Sequence, residues 1–159
     1  MNISVVGIGK LGLCFSLSLE RAGYNVVGVD INQDYVDCIN SKDLRSPEAG
    51  VEESLRDSTN FVATTSLQQA LDHSNMIFVV VATPSLYNGR YDHSQVDSLI
   101  ASLQKMGRQE EQKHFVVCCT TMPGYCESIR SPLEKLNFVV SYNPEFIAQG
   151  TILKNQAYP

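Results

Sequence analysis

The chain has 159 residues, long enough for one domain with a sizeable core. Hydrophobic residues make up 43% and charged residues 18%, which excludes a disordered chain. The net charge is −5 and there is no basic cluster, which argues against nucleic acid or an anionic membrane surface as a partner. An anionic ligand would have to be held locally, by backbone amides. The five cysteines (Cys14, Cys38, Cys118, Cys119, Cys126) are odd in number and show no C-x-x-C spacing, and His73, His93 and His114 are scattered, so no metal site is expected. No secretion signal precedes the first apolar run, and the longest such run, Met76 to Ala82, is far too short to span a bilayer. The expectation is a cytoplasmic protein with free thiols.

In chain order, Ile3 to Val6 is a short β-branched run that reads as a buried strand. It ends in Gly7-Ile8-Gly9-Lys10-Leu11-Gly12, a G-x-G-x-x-G turn. An amphipathic helix follows, with Leu11, Phe15, Leu19 and Ala22 along one face, and Gly23 stops it. Asn25 to Val29 is a second strand with Asp30 at its carboxyl end. Strand, glycine turn, helix, strand and acid in that order describe a dinucleotide-binding βαβ unit. Gly7 permits the tight turn, Gly9 has no side chain to hold backbone amides away from a pyrophosphate, and Gly12 lets the helix pack closely on the sheet. The helix N-terminus offers free N–H groups and partial positive charge to phosphates. Asp30 can accept from both hydroxyls of an adenosine ribose and would repel a 2′-phosphate, with no cation in Ile31-Asn32 to offset that. NAD is favoured over NADP.

Gln33 to Asn40 reads as a short helix packing through Tyr35, Val36 and Ile39, Val51 to Arg56 as a second, Phe61 to Ala63 as a strand and Ser66 to Leu71 as a brief helix. Met76 to Val81 is a continuous apolar run, as in a central parallel strand buried on both faces. After a loop from Thr83-Pro84-Ser85, Asp92 with Gln95 resembles a capping box. The helix it opens carries Val96, Leu99, Ile100, Leu103 and Met106 on one face and is closed by Gly107. Phe115 to Cys119 reads as a buried strand, Cys126 to Leu136 as a helix and Phe138 to Tyr142 as a strand. Strands alternate with helices throughout, so the fold class is α/β, a doubly wound, mostly parallel sheet with helices on both faces, and residues 1–159 form one domain. Ligands of such sheets sit outside the strands' carboxyl ends, so Gly7–Gly12, Asp30, Thr83–Ser85, Thr120–Pro123 and Asn143–Glu145 are expected to converge on one crevice.

Together these segments resemble the NAD-binding domain of the UDP-glucose/GDP-mannose (nucleotide-sugar) 6-dehydrogenase family. The matching blocks are Gly7-Ile8-Gly9-Lys10-Leu11-Gly12-Leu13, Gly28-Val29-Asp30, Thr83-Pro84-Ser85, Asp92 to Val96, Thr120-Thr121-Met122-Pro123 and Asn143 to Gly150. The last is the most specific. The resemblance implies a Rossmann-type domain and oxidation of a sugar C6 alcohol to a carboxylate with two NAD in succession. It implies that Thr121 holds a catalytic water or the reacting hydroxyl, that Glu145 is the general base, and that Thr83, Thr121 and Gln149 contact the cofactor beside the glycine turn. It also implies a UDP- or GDP-sugar substrate and a homodimeric full-length protein.

Read from the residues alone, Glu145 serves equally as a base of raised pKa in a Pro-Glu-Phe-Ile turn or as the cap of a helix starting near Phe146. Thr121 alone is a turn residue and Thr83 a strand terminator. Three departures from the family stand out. Gln149 replaces a second glutamate and cannot take a proton. Lys10-Leu11 replaces Tyr-Val, and Lys10 either reaches a phosphate or is simply solvated. No cysteine here has the glycine-pair setting of the family's catalytic thiol, Cys118 and Cys119 reading instead as core residues inside a strand. The central helix and substrate domain of the family have no counterpart in this sequence, so the chain is expected not to complete the reaction alone. The alternatives are an NAD-sensing regulatory module and the Rossmann half of another hydroxy-acid dehydrogenase.

Overall fold

The β-branched runs become six strands in a computed structural model that describes residues 1–145 and 150–157. These are β1 (Asn2–Val6), β2 (Asn25–Val29), β3 (Phe61–Thr64), β4 (Met76–Val79), β5 (Lys113–Val117) and β6 (Phe138–Tyr142). They form one parallel sheet in the order β3-β2-β1-β4-β5-β6. The helices are α1 (Lys10–Arg21), α2 (Gln33–Asn40), α3 (Val51–Asp57), α4 (Leu67–His73), α5 (Ser94–Met106), α6 (Tyr125–Lys135) and α7 (Ile152–Ala157).

Alternation along the strands divides the apolar side chains between two cores. Ile3 and Val5 of β1 pack with Leu13 and Leu17 of α1, Val36 and Ile39 of α2 and Leu55 of α3. Val6 points to the other face, among Ala70 and Leu71 of α4, Val96 and Leu99 of α5 and Leu133 of α6. The sheet is doubly wound, and strand order reverses between β1 and β4. That reversal opens a crevice at the carboxyl edge, where β1 and β4 send their chains to opposite faces.

The amino edge is closed by side chains. Asn2 Nδ2 donates to His73 O at 3.1 Å, Asn25 Nδ2 to Asn2 Oδ1 at 3.1 Å and Ser74 Oγ to Asn2 O at 2.8 Å. Lys113, only 7% exposed, donates from Nζ to Leu71 O at 2.6 Å, Ser74 O at 3.2 Å and Asn75 Oδ1 at 2.8 Å. All three ammonium protons are thereby placed, which is how a lysine opens a buried strand.

The structure corrects several local expectations. The face of α1 that is buried is Leu13, Cys14 and Leu17, with Leu11, Phe15 and Leu19 only partly covered. That face meets the sheet, α2 and α3, while α7, absent from the sequence reading, packs on α1 and accepts the Ser18 hydroxyl at Gln156 Oε1, 2.8 Å away. β4 ends at Val79 rather than Val81, and its Met76 and Phe78 are only half-buried. Val80 N still donates to Val6 O at 2.8 Å before the chain turns across Gly7. β5 likewise runs Lys113–Val117, so Cys118 and Cys119 lie just past the strand, though buried. The Asp92–Gln95 capping box does not form. Asp92 Oδ1 accepts from Ser94 N at 2.9 Å, His93 occupies the N-cap, and Gln95 Oε1 accepts instead from Ala82 N at 3.1 Å, across a loop.

Candidate cofactor site

The glycine turn hangs from the end of β2, with Gly7 N and Ile8 N donating to Val29 O at 2.8 and 3.3 Å. Gly7 has φ +90°, and a Cβ there would lie 2.9 Å from the Val80 carbonyl. A Cβ on Gly12 would lie 1.9 Å from Gly7 O, so α1 begins in backbone contact with the strand it leaves. Gly9 is different. Its φ is −59° and, among the described residues, a Cβ would meet nothing within 4 Å. None of the described residues requires a glycine there, and the space lies over a helix N-terminus to which none of them supplies a side-chain cap, where first-turn amides have no partner within the helix. Lys10 is exposed, Leu11 half-buried and Ile8 fully buried.

Gly28, read in the sequence only as part of a matching block, and Tyr35, read only as a packing residue, also shape this turn. A Cβ on Gly28 would lie 2.7 Å from Ile8 Cγ2, so a bare strand position makes room for the isoleucine between the glycines. Tyr35 Oη donates to Ile8 O at 3.0 Å, and burial, reinforced by the charge of Asp30, pushes its phenol up to about 12. Neither contact to Ile8 has a local sequence signal, because each depends on the three-dimensional neighbour.

Asp30 is half-buried at the tip of β2. Its N donates to Thr64 O at 3.1 Å and its Oδ1 accepts from Asn32 N at 3.0 Å, which orients the carboxylate while leaving Oδ2 free of these contacts. It borders a cleft of about 450 Å³ with Gly7, Ile31, Leu67, Val81 and Leu99. Apolar walls beside one acid suit a flat heterocycle attached to a sugar. Ile31, 98% exposed, shields nothing of the chain's own. A larger cavity, about 780 Å³, lies near the start of β3 between Glu20, Asn60 and Leu153, and contains none of the candidate residues.

Thr83, Thr121 and Glu145 follow β4, β5 and β6 at the same sheet edge, and none of these three lines the 450 Å³ cleft. Thr83 is half-buried one residue past Ala82, whose amide Gln95 holds. Thr121 is half-buried with Oγ1 3.9 Å from Cys126 Sγ, and the next amide, Met122 N, donates to His93 Nε2 at 3.2 Å. Glu145 N donates to Cys118 O at 3.4 Å. The Cys118 thiol is pushed up to about 12 by burial and, next, by the Glu145 charge. Gln149 and Phe146 lie outside the described residues. Glu48, 4% exposed and unremarked in the sequence, accepts from Gly150 N through both oxygens at 2.9 and 2.8 Å. Among the described residues no group of His, Cys, Asp and Glu could hold a metal ion, and no helix is long and apolar enough to cross a membrane.

A family model described as UDP-glucose/GDP-mannose dehydrogenase family, NAD binding domain, matches residues 1–159. A GDP-mannose 6-dehydrogenase of Pseudomonas aeruginosa is 29% identical over 171 residues, covering 100% of this chain and 39% of its own. A crystal structure of a ternary complex of GDP-mannose dehydrogenase from that organism superposes with a TM-score of 0.88 at 29% identity, over 100% of this chain and 39% of that one. A UDP-glucose dehydrogenase from the archaeon Pyrobaculum islandicum gives 0.84 at 26% identity, over 97% and 38%. The chain thus spans about two fifths of these relatives, 39% of the first. A parallel sheet in Rossmann order, a glycine turn opening onto free amides and a whole-length family match lead to one conclusion: the chain belongs to the UDP-glucose/GDP-mannose dehydrogenase family, of which it is an NAD-binding domain.

Proposed function

We propose that this domain serves an NAD-dependent dehydrogenase oxidising the C6 alcohol of a UDP- or GDP-sugar to the uronic acid, with two NAD per sugar. The observation that carries the reading is Gly9, a glycine its own fold does not need, facing open space where helix amides would meet a pyrophosphate. NAD supplies the hydride acceptor. The protein's part is to bind, orient and move protons. Amides of Gly9 to Gly12 hold the pyrophosphate, with Lys10 exposed beside them, and Asp30 takes the adenosine ribose hydroxyls. Thr83 lines the cofactor's path past β4. Thr121 orients the reacting hydroxyl and later a water, and Glu145 accepts the proton released from each. Glu145 has the half-buried setting that lets a carboxylate serve as a base. Gln149 can hydrogen-bond the cofactor or the water but cannot take a proton. Substrate recognition then belongs to sequence of the kind that fills the rest of the longer relatives, which we infer to assemble as homodimers. Five free thiols, three of them buried, support a reducing, cytoplasmic setting.

Fluorescence titration with NADH and NADPH tests the cofactor arm. For Asp30→Ala the affinity for NADH falls and the preference over NADPH shrinks; unchanged values for both remove Asp30 from the site. Counting NADH formed per sugar nucleotide consumed by this domain joined to the remaining sequence of a longer relative tests the reaction, and a ratio of one instead of two overturns the four-electron oxidation.

A further inference from the structure

The first turn of α5 holds the backbone of both loops that leave the centre of the sheet. Gln95 Oε1 takes the Ala82 amide beyond β4, and His93 Nε2 takes the Met122 amide beyond β5, at 3.1 and 3.2 Å. His93 is the N-cap of α5 yet makes no side-chain capping bond to its own helix. Its ring lies on Tyr125 instead, centroids 3.8 Å apart and planes 16° from parallel. The Tyr125 hydroxyl donates to Asp97 Oδ1 at 2.7 Å, one turn further along α5. The segment from Thr121 to Tyr125 is therefore pinned at two points to one helix. A backbone amide can only donate, so Nε2 must carry a lone pair and the neutral ring carries its proton on Nδ1.

We propose that His93 is the positioning residue for Thr121, holding the loop after β5 through an imidazole acceptor that exists only in the neutral ring. This rests on the role proposed above for Thr121. The Asp92 carboxylate lies beside the ring, the Tyr125 phenol is stacked on it with Asp97 bound to that phenol's hydroxyl, and Arg90 borders the same small cavity. Imidazolium carries a proton on both nitrogens and has nothing to offer the Met122 amide. Acidification therefore sets the ring's charge against the loop's anchor, and the loop is released as the ring gains its second proton.

The test is amide hydrogen exchange by nitrogen-15 NMR on this chain between pH 5 and 8, with the His93 ring nitrogens followed in parallel. Met122 is expected to lose about tenfold in protection, after correction for intrinsic exchange, as the ring protonates. His93→Gln keeps an acceptor of similar reach that does not titrate, and is expected to abolish the pH dependence. His93→Phe keeps the stack on Tyr125 without the acceptor, and is expected to lose Met122 protection at every pH. A purely packing role predicts wild-type protection in the Phe variant, and that result overturns the proposal. Should the Phe variant not fold, the proposal fails if wild type and His93→Gln show the same pH response. Thr121→Ala in this domain joined to the remaining sequence of a longer relative, with undiminished turnover, would remove the catalytic reading of Thr121 while leaving the His93–Met122 result standing, so the two failures are distinguishable.

Discussion

Placing a methyl group on Gly9 separates the demands of the fold from those of the ligand. With φ at −59° and no atom of the described residues within 4 Å of the new Cβ, Gly9→Ala meets neither a left-handed backbone nor a clash with them. Reduced freedom of the unfolded chain should stabilise it by about 0.4–1 kcal/mol. For a domain of this size that is a rise of roughly 1–4 °C in Tm. The same methyl stands where a pyrophosphate approaches the amides. Loss of one or two hydrogen bonds to a charged group, about 1.5–3 kcal/mol each, weakens NADH binding by roughly tenfold to several hundredfold or more. Gly12→Ala is the contrasting variant. Its Cβ would lie 1.9 Å from a backbone oxygen, which cannot rotate away, so the cost is expected to reach several kcal/mol and to appear as lost stability. Differential scanning fluorimetry and NADH titration on both variants give the two numbers. A Gly9→Ala protein that binds NADH as well as wild type would refute the placement of the pyrophosphate, and one that loses several degrees in Tm would refute the reading of open space.

Tyr35→Phe removes the donor to Ile8 O and should cost about 1 kcal/mol in urea denaturation. The pH limb carries the sign. A phenol whose folded value is raised to about 12 contributes stability that is complete below its ordinary value of 10 and is lost as pH climbs from there to 12. The wild type should therefore weaken over that interval more than the Phe variant, and parallel curves would remove Tyr35 from the account. Glu48→Gln replaces one of two oxygens facing Gly150 N with an amide nitrogen that cannot accept. A loss of about 1–2 kcal/mol in unfolding free energy is expected, and an unchanged denaturation midpoint would show that the link is not formed.

Much of the architecture could be read from periodicity and punctuation. α2 occupies Gln33–Asn40 as the sequence predicts, and α5 buries Val96, Leu99, Ile100 and Leu103 as its spacing requires. The limits were those of apolar pattern itself. A run such as Met76 to Val81 records burial, not the residue at which strand pairing stops, and β4 ends where the chain must cross Gly7. Apolar residues lie on both sides of α1, so spacing alone does not say that Leu13 and Leu17 rather than Leu11, Phe15 and Leu19 face the sheet. The glycine turn and Asp30 announce themselves through a fixed spacing. The ties that hold the neighbouring loops do not, since Gln95 reaches back 13 residues, His93 forward 29 and Glu48 forward 102. Such contacts have no local signature, and only a folded chain shows them.

The stitching at the foot of the sheet bears on how the molecule can breathe. Asn2, Asn25, Ser74 and Lys113 sew β1, β2, α4 and β5 into a seam that sliding strands would have to tear. Opening motions are thus biased toward the opposite margin, where the chain is tethered by single amides. A dinucleotide can enter and leave there while the foundation keeps its register, and exchange of buried amides should slow steadily from that margin toward the seam.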